Sequence, residues 1–272
     1  MIHHTGAEPP MTAPHPDVAA RLRAAGCVFA EDEARLLLDA AATATELEGL
    51  VARRVAGEPL EQILGWAEFA GLRIVVEPGV FVPRRRTELL VREAADRCSR
   101  VRGNKRPVVV DLCCGSGAVA AALLNRLPGI EVHAADIDPA AVRCAQINIA
   151  DRGQVYRGDL DEPLPDELRG RVDVLVANAP YVPTEAIGLM PPEARLHEPR
   201  VALDGGADGV DVQRRIAASA PGWLAPGGHL LIETGRDQVS LTVRAFERAG
   251  LATRVVRSAE LSATVVVGTR ES

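Results

Sequence analysis

Aromatic residues are scarce in this sequence: two Trp, two Tyr and four Phe make up 3% of its 272 residues. A core of that composition has to be built from Ala, Val and Leu, so a ring placed among polar residues stands out. A basic excess is missing as well. Lys and Arg total 31 against 37 Asp and Glu, a net charge of -6. That balance excludes a globally positive nucleic-acid-binding surface, leaves room for a local patch, and suits a basic protein partner at least as well. No apolar run approaches the length of a membrane span, and the N-terminus lacks the apolar core of a signal peptide. No membrane partner is expected. The five cysteines are odd in number and scattered; they fit free thiols in a reducing cytoplasm and not a disulfide framework. What remains is ordinary globular material, 47% hydrophobic and 25% charged.

Residues 1–16 hold four prolines and almost no apolar periodicity, which predicts a flexible tail, with Met11 an alternative start. A small helical domain is expected over 17–60. Val18, Leu22 and Ala25 share one face, Ala34, Leu37, Leu38 and Ala41 a second, and Leu47, Leu50, Val51 and Val55 a third. Residues 61–82 read as a linker with a β-hairpin, Leu72–Val76 and Val80–Val82 flanking Glu77-Pro78-Gly79. Thr87 is then the expected N-cap of a helix to Arg97. The preceding Arg84-Arg85-Arg86 reads either as a phosphate grip or as a solvated loop.

From residue 83 to 272 strands and helices alternate. Strands are expected at 108–111, 130–136, just before Gly158, 172–177 and 229–233, with helices at 117–126, 139–148, 212–223 and 238–249. Repeated βα units predict an α/β fold, a mostly parallel sheet covered on both faces. Two further strands near 253–256 and 264–267 lack a helix between them and should pair antiparallel. Residues 184–209 are long and aperiodic, which predicts an irregular lid over the substrate.

Two strand ends carry the chemistry. After the first strand comes Asp111-Leu112-Cys113-Cys114-Gly115-Ser116-Gly117, where Gly115 and Gly117 permit a tight turn and close approach of a ligand. Asp136, followed by Ile137, ends the second strand, where a carboxylate accepts hydrogen bonds from both ribose hydroxyls. This spacing fits a nicotinamide cofactor and S-adenosylmethionine (SAM) almost equally. Asp111, in the approach to the loop, favours SAM: a carboxylate there opposes a pyrophosphate but suits a sulfonium or amino cation. Asp159, beside Leu160, adds a carboxylate for an adenine amino group, or else is a turn residue. Cys113 and Cys114 lack partners at zinc spacing, so no metal site is expected and they read as small loop side chains. The buried-strand run Val172–Ala177 ends abruptly in Asn178-Ala179-Pro180-Tyr181. It delivers an amide, a rigid turn and a ring to where α/β ligands bind, unless it is an ordinary Pro turn. Glu233, at another strand end, reads as a contact to the 184–209 region or as a surface charge.

Taken in order, Gly57-Glu58-Pro59, Ile63-Leu64-Gly65-Trp66, Pro83-Arg84, Thr87-Glu88, the Asp111–Gly117 loop, Asn178–Tyr181 and Glu198-Pro199-Arg200-Val201-Ala202-Leu203-Asp204-Gly205-Gly206 form a specific set. From about residue 50 onward the chain resembles the protein-(glutamine-N5) methyltransferases that modify release factors and a ribosomal protein. The resemblance implies a Rossmann-like class I SAM-dependent methyltransferase with a central, mostly parallel seven-stranded sheet and a small N-terminal helical domain. It implies SAM as cofactor, S-adenosylhomocysteine as product, and a protein partner carrying a glutamine, a release factor or ribosomal protein. In the family the Asn side-chain oxygen and the next carbonyl accept the amide hydrogens of the glutamine, which places Asn178 and Ala179 in that role, with Pro180 shaping the turn and Tyr181 stacking on the amide. Asn178 would also border the cofactor. The chain departs from the family at Ala179 (usually Pro), Cys113 (usually Gly) and Arg85-Arg86 (usually Pro and an acid), which points to a side branch. The runner-up is a methyltransferase acting on nucleic-acid base amino groups, and a third reading is a SAM-binding module without turnover.

Overall fold

The computed structural model describes residues 16–101 and 105–271; the expected tail and the alternative start at Met11 lie outside them. The chain divides into two compact units, residues 1–64 and 65–272. The described part of the first is helical: α1 (Pro16–Ala24), α2 (Ala30–Ala40), α3 (Ala44–Val55) and α4 (Leu60–Leu64). Val18, Leu22, Ala34, Leu37, Leu47, Val51 and Ile63 close a core of their own. Thr43 caps α3 by accepting the Glu46 N–H at 3.2 Å. Two residues of the expected faces stay outside this core. Ala25 is exposed just past the end of α1, and Val55, the last residue of α3, is 43% exposed.

The second unit opens with a hairpin that differs from the expected one. β1 (Trp66–Phe69) pairs antiparallel with β2 (Leu72–Val75), turning at Ala70-Gly71, both at positive φ. Glu77-Pro78-Gly79 is a second turn, after which Val80 and Val82 pack in the core outside any strand. Their alternation with half-buried neighbours imitates a strand, but the Val82 N–H donates to Glu198 Oε1 at 3.3 Å and not to a neighbouring strand. Helix α5 (Glu88–Cys98) follows a 3-10 turn over Arg85–Thr87.

The sheet has seven strands in the order β5-β4-β3-β6-β7-β9-β8: β3 (Val108–Leu112), β4 (Glu131–Asp136), β5 (Gln154–Arg157), β6 (Val172–Ala177), β7 (Leu224–Glu233), β8 (Leu251–Ser258) and β9 (Ala263–Arg270). The first five named are parallel, and β9 pairs antiparallel with both β7 and β8, as the missing crossover helix requires. α5, α6 (Ala118–Arg126) and α7 (Pro139–Ile149) bury one face, together with Val109, Val174 and Val176. On the other, α10 (Asp211–Trp223) and α11 (Val239–Arg248) cover Val110, Leu175 and Ile232. The continuous apolar runs of β3 and β6 are explained by this double coverage.

The strand order reverses between β3 and β6, whose ends are in register, Leu112 opposite Ala177. A ligand crevice is expected outside the carboxyl ends of strands at such a reversal. The 184–209 stretch is not the irregular segment expected. It forms a 3-10 turn over Thr184–Leu189, then α8 (Pro192–His197) and α9 (Arg200–Leu203), tied back by a bridge between Val182 and Asp204. Helices this short leave too little periodicity to read.

Candidate functional site

A cavity of about 450 Å³ opens at that reversal. Its β3 side begins with Asp111, which lies within the strand and not in the loop approach, 1% exposed. Its Oδ2 accepts the Ala120 N–H at 3.1 Å, in the first turn of α6. Burial pushes its carboxyl up to about 7, against the pull of that hydrogen bond, with nearby Asp136 adding to the rise. Among the described residues no cationic side chain pairs with Asp111.

The loop then turns through Cys113 at φ 55°, Gly115 at 54° and Gly117 at 75°. Cys113 carries a side chain where glycine is favoured. Gly117 packs elsewhere: an added Cβ would meet the Ala145 backbone at 3.0 Å, so its smallness lets α6 approach α7. Burial raises both the Cys113 and Cys114 thiols well above their usual range, so they stay protonated and serve as small lining groups. The loop is locked to β4 by the Cys114 N–H donating to the Ala135 carbonyl at 3.1 Å.

Asp136 is held at both oxygens. Oδ2 accepts from the Gly115 N–H at 2.8 Å and Oδ1 from the Asp138 N–H at 2.9 Å. Each oxygen keeps a further lone pair. Burial raises this carboxyl and the two backbone donors oppose the rise. Asp159 pairs with Arg215 of α10 at 2.7 Å; it lines the cavity as half of an ion pair.

On the β6 side, Asn178 Nδ2 donates to Thr87 Oγ1 at 3.3 Å. Thr87 is not the N-cap of α5: its backbone is already helical, φ -67° and ψ -11°, and its side chain makes no capping bond. The 3-10 turn at 85–87 starts the helix early, which releases the hydroxyl toward Asn178. Ala179 is 1% exposed, Pro180 is buried and Tyr181 half-buried. The Tyr181 carbonyl accepts from Gln238 Nε2 at 2.7 Å. Gly209, at φ 78°, lies so close that a Cβ would collide with both the Gln238 amide and the Tyr181 carbonyl.

The arginine run is not a uniformly solvated loop, because two of its three side chains close ion pairs with buried carboxylates. Arg84 pairs with Glu198, whose side chain is 1% exposed, and Arg86 Nε donates to Glu233 Oε1 at 3.1 Å. The Arg86 guanidinium also sits 5.6 Å from the Tyr181 ring centroid. Arg85 is the most exposed of the three, 4.0 Å from the exposed Glu260. Glu233 is 2% exposed, so it is no surface charge, and its partner is Arg86 and not the 184–209 segment.

Of the residues singled out in the sequence, Asp111, Cys113, Cys114, Gly115, Ser116, Asp136, Ile137, Asp159, Leu160 and Asn178 through Tyr181 all line this one cavity; Gly117 does not. Sequence reasoning missed Arg215, Gln238 and Gly209. Gly209 shares a glycine cluster with Gly205 and Gly206 that hints at a tight approach. Nothing marks Gln238, whose role depends on a contact 57 residues away. The residues fit SAM: a buried carboxyl with no cationic partner among the described residues, a second carboxylate held by backbone donors with lone pairs to spare, and a cavity lined by both.

Residues 71–193 match the family model described as methyltransferase small domain. Over 205 residues the chain is 43% identical to a release factor glutamine methyltransferase of Geobacter sulfurreducens, spanning 74% of this chain and 69% of that protein. It is also 40% identical, over the same shares, to a 4-amino-L-phenylalanine/4-methylamino-L-phenylalanine methyltransferase of Streptomyces pristinaespiralis. Among solved structures, a methyltransferase from Pyrococcus furiosus superposes with a TM-score of 0.55 at 15% identity, covering 74% of this chain and 90% of that one. That last likeness establishes the class I fold.

Proposed function

The chain belongs to the release factor glutamine methyltransferase family, and from that premise we propose that it methylates the side-chain amide nitrogen of a glutamine in a protein, a release factor being the first candidate. The observation that carries this reading is the placement of Asn178. Its Nδ2 donates one hydrogen to Thr87 Oγ1, and Oδ1 at the other end of the amide accepts an N–H of the substrate amide.

An amide nitrogen is a poor nucleophile because its lone pair is delocalised into the carbonyl. Two acceptors on the amide hydrogens draw density back to nitrogen and fix its direction. Asn178 Oδ1 and the Ala179 carbonyl supply them, and the turn made by Pro180 sets their spacing. The Tyr181 ring gives the planar amide a face to pack on, itself steadied by Arg86. On the other side, Asp111 meets the positive charge of the cofactor's amino or sulfonium group. Asp136 receives the ribose hydroxyls through its remaining lone pairs, while Ser116, Ile137 and Leu160 wall the nucleoside. Bound SAM supplies an electrophilic methyl group. The chain's own contribution is orientation and placed dipoles. A cytoplasmic location accords with five free thiols and with the absence, among the described residues, of any helix long and apolar enough to cross a membrane.

Replacement of Asn178 by Ala tests this reading. Turnover on a glutamine-bearing protein should fall by about 10²-fold or more, while SAM affinity changes far less. Unchanged turnover would remove Asn178 from the acceptor site. A second acceptor class, a small aromatic amine, has one observation behind it: the likeness to the Streptomyces pristinaespiralis enzyme. Free 4-amino-L-phenylalanine therefore belongs in the same assay.

A further inference from the structure

A single side-chain amide joins the β3 loop to the hairpin that opens this unit. Asn148 lies half-buried in the last turn of α7. Its Oδ1 accepts the Val75 N–H at 2.8 Å, and its Nδ2 donates to the Val75 carbonyl at 3.0 Å. Nδ2 also donates to the Ser116 carbonyl, at 2.8 Å. Both hydrogens of the amide are then used, and its orientation is fixed. Flipped, it would set an oxygen against two carbonyls and an NH₂ against the Val75 N–H. Val75 can be gripped in this way because of its register. It stands opposite Trp66, while the ladder bond falls on the next residue, Val76 N–H donating to the Gly65 carbonyl at 3.0 Å. In an antiparallel pair such a residue turns its own N–H and C=O outward. Asn148 takes the place that a third strand would.

We propose that Asn148 is a positioning residue for the methyl donor. Through the Ser116 carbonyl it holds the β3 loop in its binding shape, and through Val75 it sets that loop against the segment leading to Thr87. The same helix fastens this segment just past β2: the Glu77 N–H donates to Cys144 Sγ at 3.3 Å, and Arg143 pairs with Glu77 at 2.9 Å. Beyond that turn Val80, Phe81 and Thr87 line the same cavity as Ser116. The loop needs the fastening because glycines flank Ser116 on both sides, at φ 54° and 75°, and glycine backbone alone does little to hold a shape. Gly115 carries the consequence for binding. Its N–H donates to Asp136 Oδ2 at 2.8 Å, the carboxylate assigned to the ribose hydroxyls. A Ser116 released from Asn148 shifts Gly115 with it, and that N–H comes away from Asp136. The inference rests on the β3 loop holding SAM, and it is independent of which acceptor is methylated.

Two variants and one measurement on the wild type test it. Asn148→Asp keeps an oxygen for the Val75 N–H but sets another against the Val75 and Ser116 carbonyls, and Asn148→Ala removes every one of these bonds. In full-length protein whose near-ultraviolet circular dichroism shows it folded, calorimetric titration should find SAM bound about tenfold more weakly by each variant than by wild type. A role confined to stability would lower the melting temperature and leave the Kd of the folded protein unchanged. In the wild type, the Asn148 side-chain amide pair, assigned through its own Cβ, should exchange its protons about threefold more slowly with SAM bound than without. SAM affinity within about twofold of wild type in both folded variants overturns the proposal. So does, should neither variant fold, an Asn148 pair whose exchange SAM leaves unchanged. Wild-type protein that binds SAM and methylates no glutamine would instead overturn the functional reading, with these binding measurements still deciding the role of Asn148.

Discussion

Cys113 shows at the level of one residue how a substitution in a binding loop is tolerated. Its φ of 55° is open to glycine and strained for a side chain, by about 1–2 kcal/mol for an ordinary L-residue. Cysteine is small and unbranched at Cβ, and it packs partly against the core on the α10 side. A β-branched side chain has neither advantage. Cys113→Val should destabilise the chain by about 1–3 kcal/mol, whereas Cys113→Gly should leave thermal stability within about 1 kcal/mol and SAM binding intact. Denaturant melts of the two variants check this.

Asp111 makes the second prediction at this scale. Its folded carboxyl titrates at about 7, against about 3.9 in an unfolded chain. Between those values the folded state holds a proton that the unfolded state has released. This residue's contribution to the stability of the ligand-free protein therefore falls as pH rises from about 4 to about 7, then levels off. A cation reverses the preference by favouring the carboxylate. SAM affinity should consequently weaken as pH drops below about 7, by at most about tenfold per unit. Adenosine, which lacks the cationic end, should show much less dependence. Calorimetric titration at pH 5.5 and 7.5 distinguishes the two; equal slopes would separate Asp111 from the cofactor's charge.

Among the elements, the turn after β6 depends on a loop that the sequence barely advertises. Gly209 and Gln238 together clamp the Tyr181 carbonyl. Gly209→Ala should push that carbonyl away and tilt the ring, lowering turnover by about 10²-fold at little cost to SAM affinity, since the β3 loop is untouched. A steady-state comparison of kcat with SAM Kd checks it. What was legible in advance follows the same division. β3, β6 and the helices between them carry continuous apolar runs and strong periodicity, because both sheet faces are covered. The loops after β3 and β6 announce themselves by glycines, an abrupt proline and carboxylates at strand ends. The hairpin was misplaced because Val80 and Val82 alternate like a strand yet join no sheet, while β1 and β2 turn on an unremarkable Ala70-Gly71. Thr87 looked like a cap because the 3-10 turn before α5 has no sequence signature. Arg84 and Arg86 read as unpaired because Glu198 and Glu233, their buried partners, are 114 and 147 residues away. Local pattern carries local structure, and ion pairs closed across the fold do not show in it.

At the scale of the whole molecule, the methyltransferase unit contains every residue of the candidate site, and the helical unit has a separate core. Net charge of -6 favours encounter with a basic protein surface over nucleic acid. The family assignment and the role proposed for Asn178 both point to an amide acceptor. The central claim is transfer to a glutamine side chain, and it is tested most directly with SAM carrying a labelled methyl group. Purified release factors, a methyl-deficient cytosolic extract and free 4-amino-L-phenylalanine would be offered as acceptors, with mass mapping of any labelled residue. The account predicts label on a glutamine side chain of a protein, abolished by Asn178→Ala. Label confined to RNA or to the free amino acid, or none at all while SAM is bound, would contradict it.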